Sequence, residues 1–356
     1  MSATGTITVV HCWSAPRSRS TALLYSFEAR SADPACPTVA IDEPLYRKWL
    51  LDKGDAVSRP YTQAMIEGIP YRRDGDDGTE PTKEEAERWA RERQSLAQRI
   101  ANGAETIIAA AAAAAASTTE NADKDANTST STASEKGGVI FCKHMAKHSH
   151  LYDFDADCEV GCTVDTIEND TAKTLLSTGH ITPIIHKHVL LIRDPVAVLS
   201  SWNEAGSAHG YDVTMEEVGI VPMLGIYSTL MSRSNNIDGE RTSKNVVILD
   251  SDDLALRPKE TLSALCAELD IPYTDAMLTW DAGPHDCDGP WADWWYANVH
   301  RSAGWFGHHH NGHGDDGDYA TKGWRQEGYH STTPTQHICS AIEQIPDVES
   351  GPPPHP

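Results

Sequence analysis

The chain has 356 residues, with 29 Lys and Arg set against 52 Asp and Glu, and a formal net charge of −23 at pH 7. A chain this acidic is not expected to track along nucleic acid, and no run of about 18 apolar residues is long enough to span a membrane. An anionic ligand would therefore have to meet positive charge concentrated at one place. The eight cysteines include no C-x-x-C pair, and no histidine spacing completes a zinc site around Cys158 and Cys162. Reduced thiols in an intracellular compartment are expected. The first residues do not read as a basic and then apolar leader, so a cytosolic location is expected.

Residues 6–12 are rich in β-branched side chains and predict a buried strand. A short polar loop follows at 14–19, with two arginines, Arg17 and Arg19. Ser20 or Thr21 is placed to cap a helix whose apolar face is Ala22, Leu23, Leu24 and Phe27. A strand, a tight loop and a helix start together attract phosphate, because unpaired N–H groups and the positive dipole end face the loop. The stretch is not the nucleoside triphosphatase loop, which needs G-x-x-x-x-G-K-[ST].

A second strand is expected over 38–43, with the Glu43 carboxylate at its C-terminal end, where α/β sheets carry their sites. Thr82 and Glu85 form a capping box. Trp89, Leu96 and Ile100 then share a helical face, Gly103 is expected to stop that helix, and another starts near Glu105 with the alanines of 109–116. Residues 117–138 are low in complexity and are expected to be a disordered insertion. A strand over 139–142 runs into Lys143-His144. Residues 151–175 read as an acidic loop insertion with a weak helix at the end. A strand over 188–192 leads into Arg193-Asp194-Pro195 and a helix with Val196, Val198, Leu199 and Trp202. Residues 214–233 are mostly helical, 245–249 form a strand, and Pro258 opens a helix with Leu262, Leu265, Cys266 and Leu269 on one face. Alternating strands and helices give an α/β class with a mainly parallel sheet flanked by helices. Residues 307–356 are His-, Gly- and Pro-rich and are expected to be a poorly ordered tail. The run of His308, His309 and His310, with His313, reads as adventitious metal binding.

Pro16, Arg17, Ser18, Ser20 and Thr21 match the form P-R-S-x-S-T, and the stretch resembles the 5′-phosphosulfate loop of the P-loop sulfotransferases, which often have Gly where this chain has Arg19. A second stretch, Leu191 to Ser201, resembles their 3′-phosphate motif, an Arg at a strand end with a Ser eight residues on. A third, Asn245 to Leu254 followed by Arg257-Pro258 and Leu269 to Tyr273, resembles their late strand and helix. Together these imply a three-layer P-loop fold of the sulfotransferase type, as one domain over 5–306. The runs His11 to Ser18, Asp42 to Tyr46, Arg59-Pro60-Tyr61, Phe141 to His144, Gly289 to Tyr296 and Val299 to Gly304 are most similar to a plant and algal sulfotransferase-like domain, sometimes fused to a branched-chain aminotransferase-like domain.

The resemblance implies 3′-phosphoadenylyl sulfate (PAPS) as donor, a small-molecule hydroxyl or amine as acceptor and no metal, while the charge and the lack of an apolar run lead to the expectation of neither nucleic acid nor membrane as partner. It implies that the loop, with Ser18, Arg19, Ser20 and Thr21, holds the 5′-phosphate, while Arg17 neutralises the leaving oxygen. Arg193 and Ser201 would hold the 3′-phosphate. Arg301 resembles a shortened form of the family's C-terminal R-K-G-x-x-G motif. Two residues are candidates for the base, His144 after a Lys and Glu43 after the second strand, and the sequence leaves both open. Lys143 either assists with charge or faces solvent. The tryptophans 280, 291, 294, 295 and 305 either pack a cap or line an acceptor pocket. An alternative reading is a nucleotide-binding domain that kept the fold without turnover. The sequence carries no signature of oligomeric state.

Overall fold

The computed structural model describes residues 6–54, 59–72, 80–121, 137–149, 164–177, 183–209, 214–234 and 246–305. They form a five-stranded sheet in the order β2-β3-β1-β4-β5, with every pairing parallel. The strands are β1 (Ile7–Ser14), β2 (Thr38–Asp42), β3 (Gly138–Met145), β4 (Ile184–Ile192) and β5 (Val246–Asp250). β1 lies at the centre and is buried throughout except at Thr8, as its β-branched run predicts. Among the described residues no helix is long and apolar enough to cross a membrane.

Helices cover both faces. On one, α1 (Ser20–Ala29), α10 (Ser251–Leu256) and α11 (Pro258–Glu268) pack on Val10, Cys12, Phe141, Val189 and Leu191. On the other, α5 (Leu96–Asn121), α6 (Val164–Ser177) and α9 (Ile220–Ser234) belong to the layer over the opposite face, where Val9, Trp13, Ile140 and Leu190 are buried. A third, aromatic core joins α2 (Tyr46–Lys53), α3 (Thr62–Glu67) and α4 (Lys83–Arg91) to α12 (Ala292–Trp295), which α13 (Ala297–His300) follows. The remaining helices, α7 (Pro195–Ala208) and α8 (Met215–Val218), bury Val198, Trp202 and Val218 against Ala15 of the β1 loop.

The α/β class and parallel sheet are as the alternating pattern predicts. Several boundaries differ. Thr82 caps α4 by accepting from the Glu85 N–H, as expected, but α4 ends at Arg91 and Leu96 opens a separate helix. Gly103 does not stop α5. It sits where the helix closes on the sheet, and a Cβ there would come within 3.3 Å of Val39 Cγ1 and 3.4 Å of Ile140 Cδ1. A mid-helix glycine costs about 1 kcal/mol, offset here by burying Ile100, Ala101, Ala104 and Ile107.

The helix continues to Asn121 and β3 begins at Gly138, so the insertion expected at 117–138 is shorter at both ends, and 122–136 lie outside the described residues. In the segment expected as an acidic loop over 151–175, α6 occupies Val164–Ser177 and 151–163 lie outside the described residues. The tail at 307–356 also lies outside them. β3 extends three residues past Cys142, which places Lys143 and His144 inside the strand. β2 stops at Asp42, one residue short of Glu43.

Candidate active site

All five parallel strands deliver their C-terminal ends to one edge, and the loop after β1 is the first structure there. Its backbone makes two left-handed excursions, at Arg17 (φ 65°) and Arg19 (φ 63°). Such a conformation costs a non-glycine residue roughly 1–2 kcal/mol and is held only where surrounding contacts fix it. Those contacts are present. The Ser18 hydroxyl donates to the Ala15 carbonyl at 2.6 Å. Arg19 donates to Ser251 O and Oγ at 3.1 Å and to Asp252 Oδ1 at 2.5 Å, which ties the loop to the start of α10. Arg19 is the N-cap residue of α1, with no side-chain cap, so the expected cap by Ser20 or Thr21 is not formed. Ser20 is already the first helical residue. The positive φ at Arg19 is the conformation for which glycine is the usual choice.

The structure brings together residues far apart in sequence. Arg17 Nε donates to Ser201 Oγ at 3.0 Å, and Arg193 Nη1 donates to the Arg17 carbonyl at 2.6 Å. Arg193 follows the end of β4, and Asp194 turns the chain into α7 by accepting from the Val196 N–H. Ser201 lies further along that helix. Burial, and then repulsion from Arg193, hold the Arg17 guanidinium below the usual arginine range. Among the described residues no carboxylate pairs with either guanidinium, and the Arg193 Nε is buried without a hydrogen-bond partner. Two adjacent cations, with Glu204 the carboxylate whose charge reaches Arg17, lie beside a strand–loop–helix turn, a combination that attracts an anion.

A second group lies at the ends of β2 and β3. Lys143 is buried, not solvent-facing, and its ammonium donates to Asp42 Oδ1 and Glu43 Oε1, each at 2.8 Å. Burial disfavours that charge, but Asp42 and Glu43 outweigh it and hold the ammonium above the usual lysine range. Glu43 is itself left-handed (φ 31°) and buried. Burial raises its carboxyl, with Lys143 opposing. Asp42 is further fixed by the Gly289 N–H at 3.0 Å and the Tyr296 hydroxyl at 2.8 Å.

His144 faces the α5 side of the sheet. It bonds His11 through Nε2 at 3.1 Å and stacks on Trp13 at 4.3 Å. Burial, followed by the repulsion of His188, pushes it down to about 3.

Sequence reasoning missed Lys147 and His148, which form a 3₁₀ turn directly after β3. His148 Nδ1 is 3.7 Å from Glu43 Oε2, and its ring stacks on Tyr46 at 4.6 Å. Lys147 Nζ sits 5.0 Å from the ring centroids of both Trp49 and Trp202. This turn abuts the β1 loop at Gly219 (φ 78°), where a Cβ would meet Pro16 Cδ at 3.5 Å and the Lys147 nitrogen at 3.7 Å. The available signal was the repeat of Lys-His four residues after Lys143-His144. The tryptophans divide. Trp295 is at the site: its carbonyl accepts from Arg17 at 3.5 Å and its indole donates to the Tyr61 hydroxyl at 2.7 Å. Trp280 and Trp305 pack on α1, and Trp291 is buried in the aromatic core. Arg301 follows α13, is exposed, and donates to Asn298 Oδ1.

The sulfotransferase domain family model matches residues 141–319, half of the chain. The chain belongs to the sulfotransferase domain family. Two curated proteins of Arabidopsis thaliana, branched-chain-amino-acid aminotransferase-like proteins 1 and 2, are each 28% identical over 296 residues, which is 83% of this chain and 36% of theirs. This sulfotransferase domain chain thus spans about a third of the length of the curated relatives it matches. Among solved structures it is similar to the sulfotransferase domain of the Synechococcus PCC 7002 olefin synthase, with TM-score 0.44, 13% identity and 96% of both chains covered. A sulfotransferase domain from the curacin biosynthetic pathway gives TM-score 0.42 and 14% identity, covering 96% of this chain and 98% of that one.

Proposed function

We propose that this sulfotransferase moves a sulfuryl group from PAPS to a hydroxyl or amine of a small-molecule acceptor. The observation that carries the reading is the meeting of Arg17, Arg193 and Ser201, two cations and a hydroxyl from separate motifs, beside the start of α1. An adenosine bisphosphate fits this donor set. Arg193, with its unpartnered Nε, and Ser201 hold the 3′-phosphate. The loop N–H groups and the Ser20 and Thr21 hydroxyls, which no described group bonds, hold the 5′-phosphate. The Ser18 hydroxyl supports the loop instead, because it donates to Ala15. Arg19 adds charge while anchored on Asp252, and Arg301, exposed after α13, is the remaining candidate for the nucleotide.

In the transfer, the acceptor oxygen or nitrogen bonds to sulfur as the bond from sulfur to the bridging phosphate oxygen breaks. Arg17 stabilises the charge that collects on that oxygen. The acceptor proton goes to Glu43. Its raised carboxyl, strained backbone and position at the site edge suit a base better than His144, whose ring is committed to His11 and is a weak base at about 3. Lys143 holds the Glu43 carboxylate in place.

Calorimetric titration with adenosine 3′,5′-bisphosphate tests the donor site. Micromolar binding by the wild type, lost in Arg17→Ala and Arg193→Ala, supports it. Absence of binding by folded wild type removes the enzyme reading. Binding without transfer from labelled PAPS to any of a panel of phenols, alcohols and amines supports the non-catalytic alternative.

A further inference from the structure

Away from this edge, three adjacent strands place an unusual set of side chains on the α5 face of the sheet. β1 contributes His11, β3 contributes Cys142 and His144, and β4 contributes His186 and His188. The register pairs His11 with Cys142 on one side and with His188 on the other, so the side chains lie in rows on one face. His11 is central. Its Nδ1 lies 3.1 Å from His144 Nε2, and its Nε2 lies 3.0 Å from His186 Nδ1. His11, Cys142 and His144 each offer a donor atom within 4.8 Å of the other two, and all three are buried. None of this is needed to hold or transfer a sulfuryl group.

We propose that His11, Cys142 and His144 form a structural site for one thiophilic d¹⁰ cation, Zn²⁺ or Cu⁺. The donor set, two imidazoles and one thiolate, is the borderline-soft combination that these ions prefer. Bonds of about 2.0–2.1 Å to nitrogen put two ligands of a tetrahedral ion roughly 3.3 Å apart. The His11 Nδ1 to His144 Nε2 separation is already close to that edge, and the Cys142 sulfur lies within 4.8 Å of both nitrogens.

The surroundings also suit ligation. A ligating histidine usually donates its other N–H to a fixed acceptor, and His11 Nε2 faces His186 Nδ1 in this way. Trp13 stacks on the His144 ring and holds its plane, and among the described residues the nitrogen that would ligate, Nε2, is engaged by His11 alone, so the ion would replace that one hydrogen bond. Binding balances as the loss of the Cys142 thiol proton to solvent, with both imidazoles staying neutral.

The test uses the full chain, stripped with a chelator and checked for folding by circular dichroism. Zn²⁺ is titrated in one arm, with Co²⁺ as the spectroscopic reporter of thiolate ligation. Cu⁺ is titrated in the other, anaerobically against a competing chelator. The wild type is expected to take one ion per chain with a thiolate-to-cobalt band. Cys142→Ala and His11→Gln are expected to bind more weakly by more than about a hundredfold, beyond the loss typical of an outer-shell change. Replacing His308, His309, His310 and His313 together by Ala is expected to leave the ion in place. Absence of a stoichiometric ion in both arms overturns the proposal, as does an ion that survives Cys142→Ala and leaves with the four tail histidines. The outcome is independent of nucleotide binding.

Discussion

Lys143→Met is the substitution whose cost the structure specifies best. The ammonium is 1% exposed and is the shared partner of Asp42 and Glu43, each at 2.8 Å. Methionine fills similar volume and keeps the apolar stem, so the loss falls on the charge. Removing one partner of a buried pair leaves an uncompensated charge and costs about 3–5 kcal/mol. Here two carboxylates are left side by side, which puts the expected loss at the upper end. Asp42 retains the Gly289 N–H, and the Tyr296 hydroxyl lies within reach of both carboxylates, 2.8 Å from Asp42 and 3.1 Å from Glu43.

The sign of the pH dependence follows. Without Lys143 the Glu43 carboxyl, already raised by burial, rises further. A carboxyl raised in the fold takes up its proton as pH falls toward its ordinary range, and the destabilisation then shrinks. Urea unfolding of wild type and variant at pH 7.5 and pH 5 measures both effects. The variant deficit should be several kcal/mol at pH 7.5 and clearly smaller at pH 5. A deficit below about 1 kcal/mol, the range of an exposed ion pair, or one unchanged by pH, would refute the buried-pair argument.

Other substitutions probe separate parts of the account. Glu43→Gln should lower kcat by about 10²- to 10⁴-fold, the range for a lost general base, with adenosine 3′,5′-bisphosphate affinity unchanged by calorimetry. An unaltered kcat would move the base elsewhere. Arg19→Gly relieves a left-handed residue while losing a half-exposed ion pair, so its stability should stay within about 1 kcal/mol of wild type. Arg19→Ala keeps the strain and should be the less stable of the two by thermal melting. Gly304 has φ 144°, and a Cβ there would sit 2.6 Å from the Leu278 carbonyl, so Gly304→Ala should cost about 1–3 kcal/mol in urea unfolding.

The sequence made the frame legible where the physics is local. β-branched runs marked β1 and the core of β4, Pro258 marked the start of α11, and the segments after β1 and β4 marked Arg17 and Arg193, which the fold brings together. The pattern failed where tertiary contact overrides local preference. Gly103 reads as a stop but serves as a close-packing point under Val39 and Ile140. Lys143 and His144 read as residues beyond a strand because both are polar, yet the sheet continues through them. One is neutralised by Asp42 and Glu43, and the other is paired with His11 from the neighbouring strand. These partners lie 100–133 residues away in sequence, where no periodicity reaches. The Lys147–His148 turn was missed because its proximity to Glu43 exists only once β2 and β3 are side by side.

The central claim is that Arg193 and Ser201 read a 3′-phosphate next to a loop that holds a 5′-phosphate. The most direct measurement compares adenosine 3′,5′-bisphosphate with adenosine 5′-monophosphate by calorimetry, in wild type and in Arg193→Ala. A hydrogen bond to a charged group contributes about 1.5–3 kcal/mol, so the wild type should favour the bisphosphate by roughly 10- to 150-fold. Arg193→Ala should bind the two nucleotides nearly alike. Equal affinities in the wild type, or discrimination that survives in the variant, would contradict the assignment.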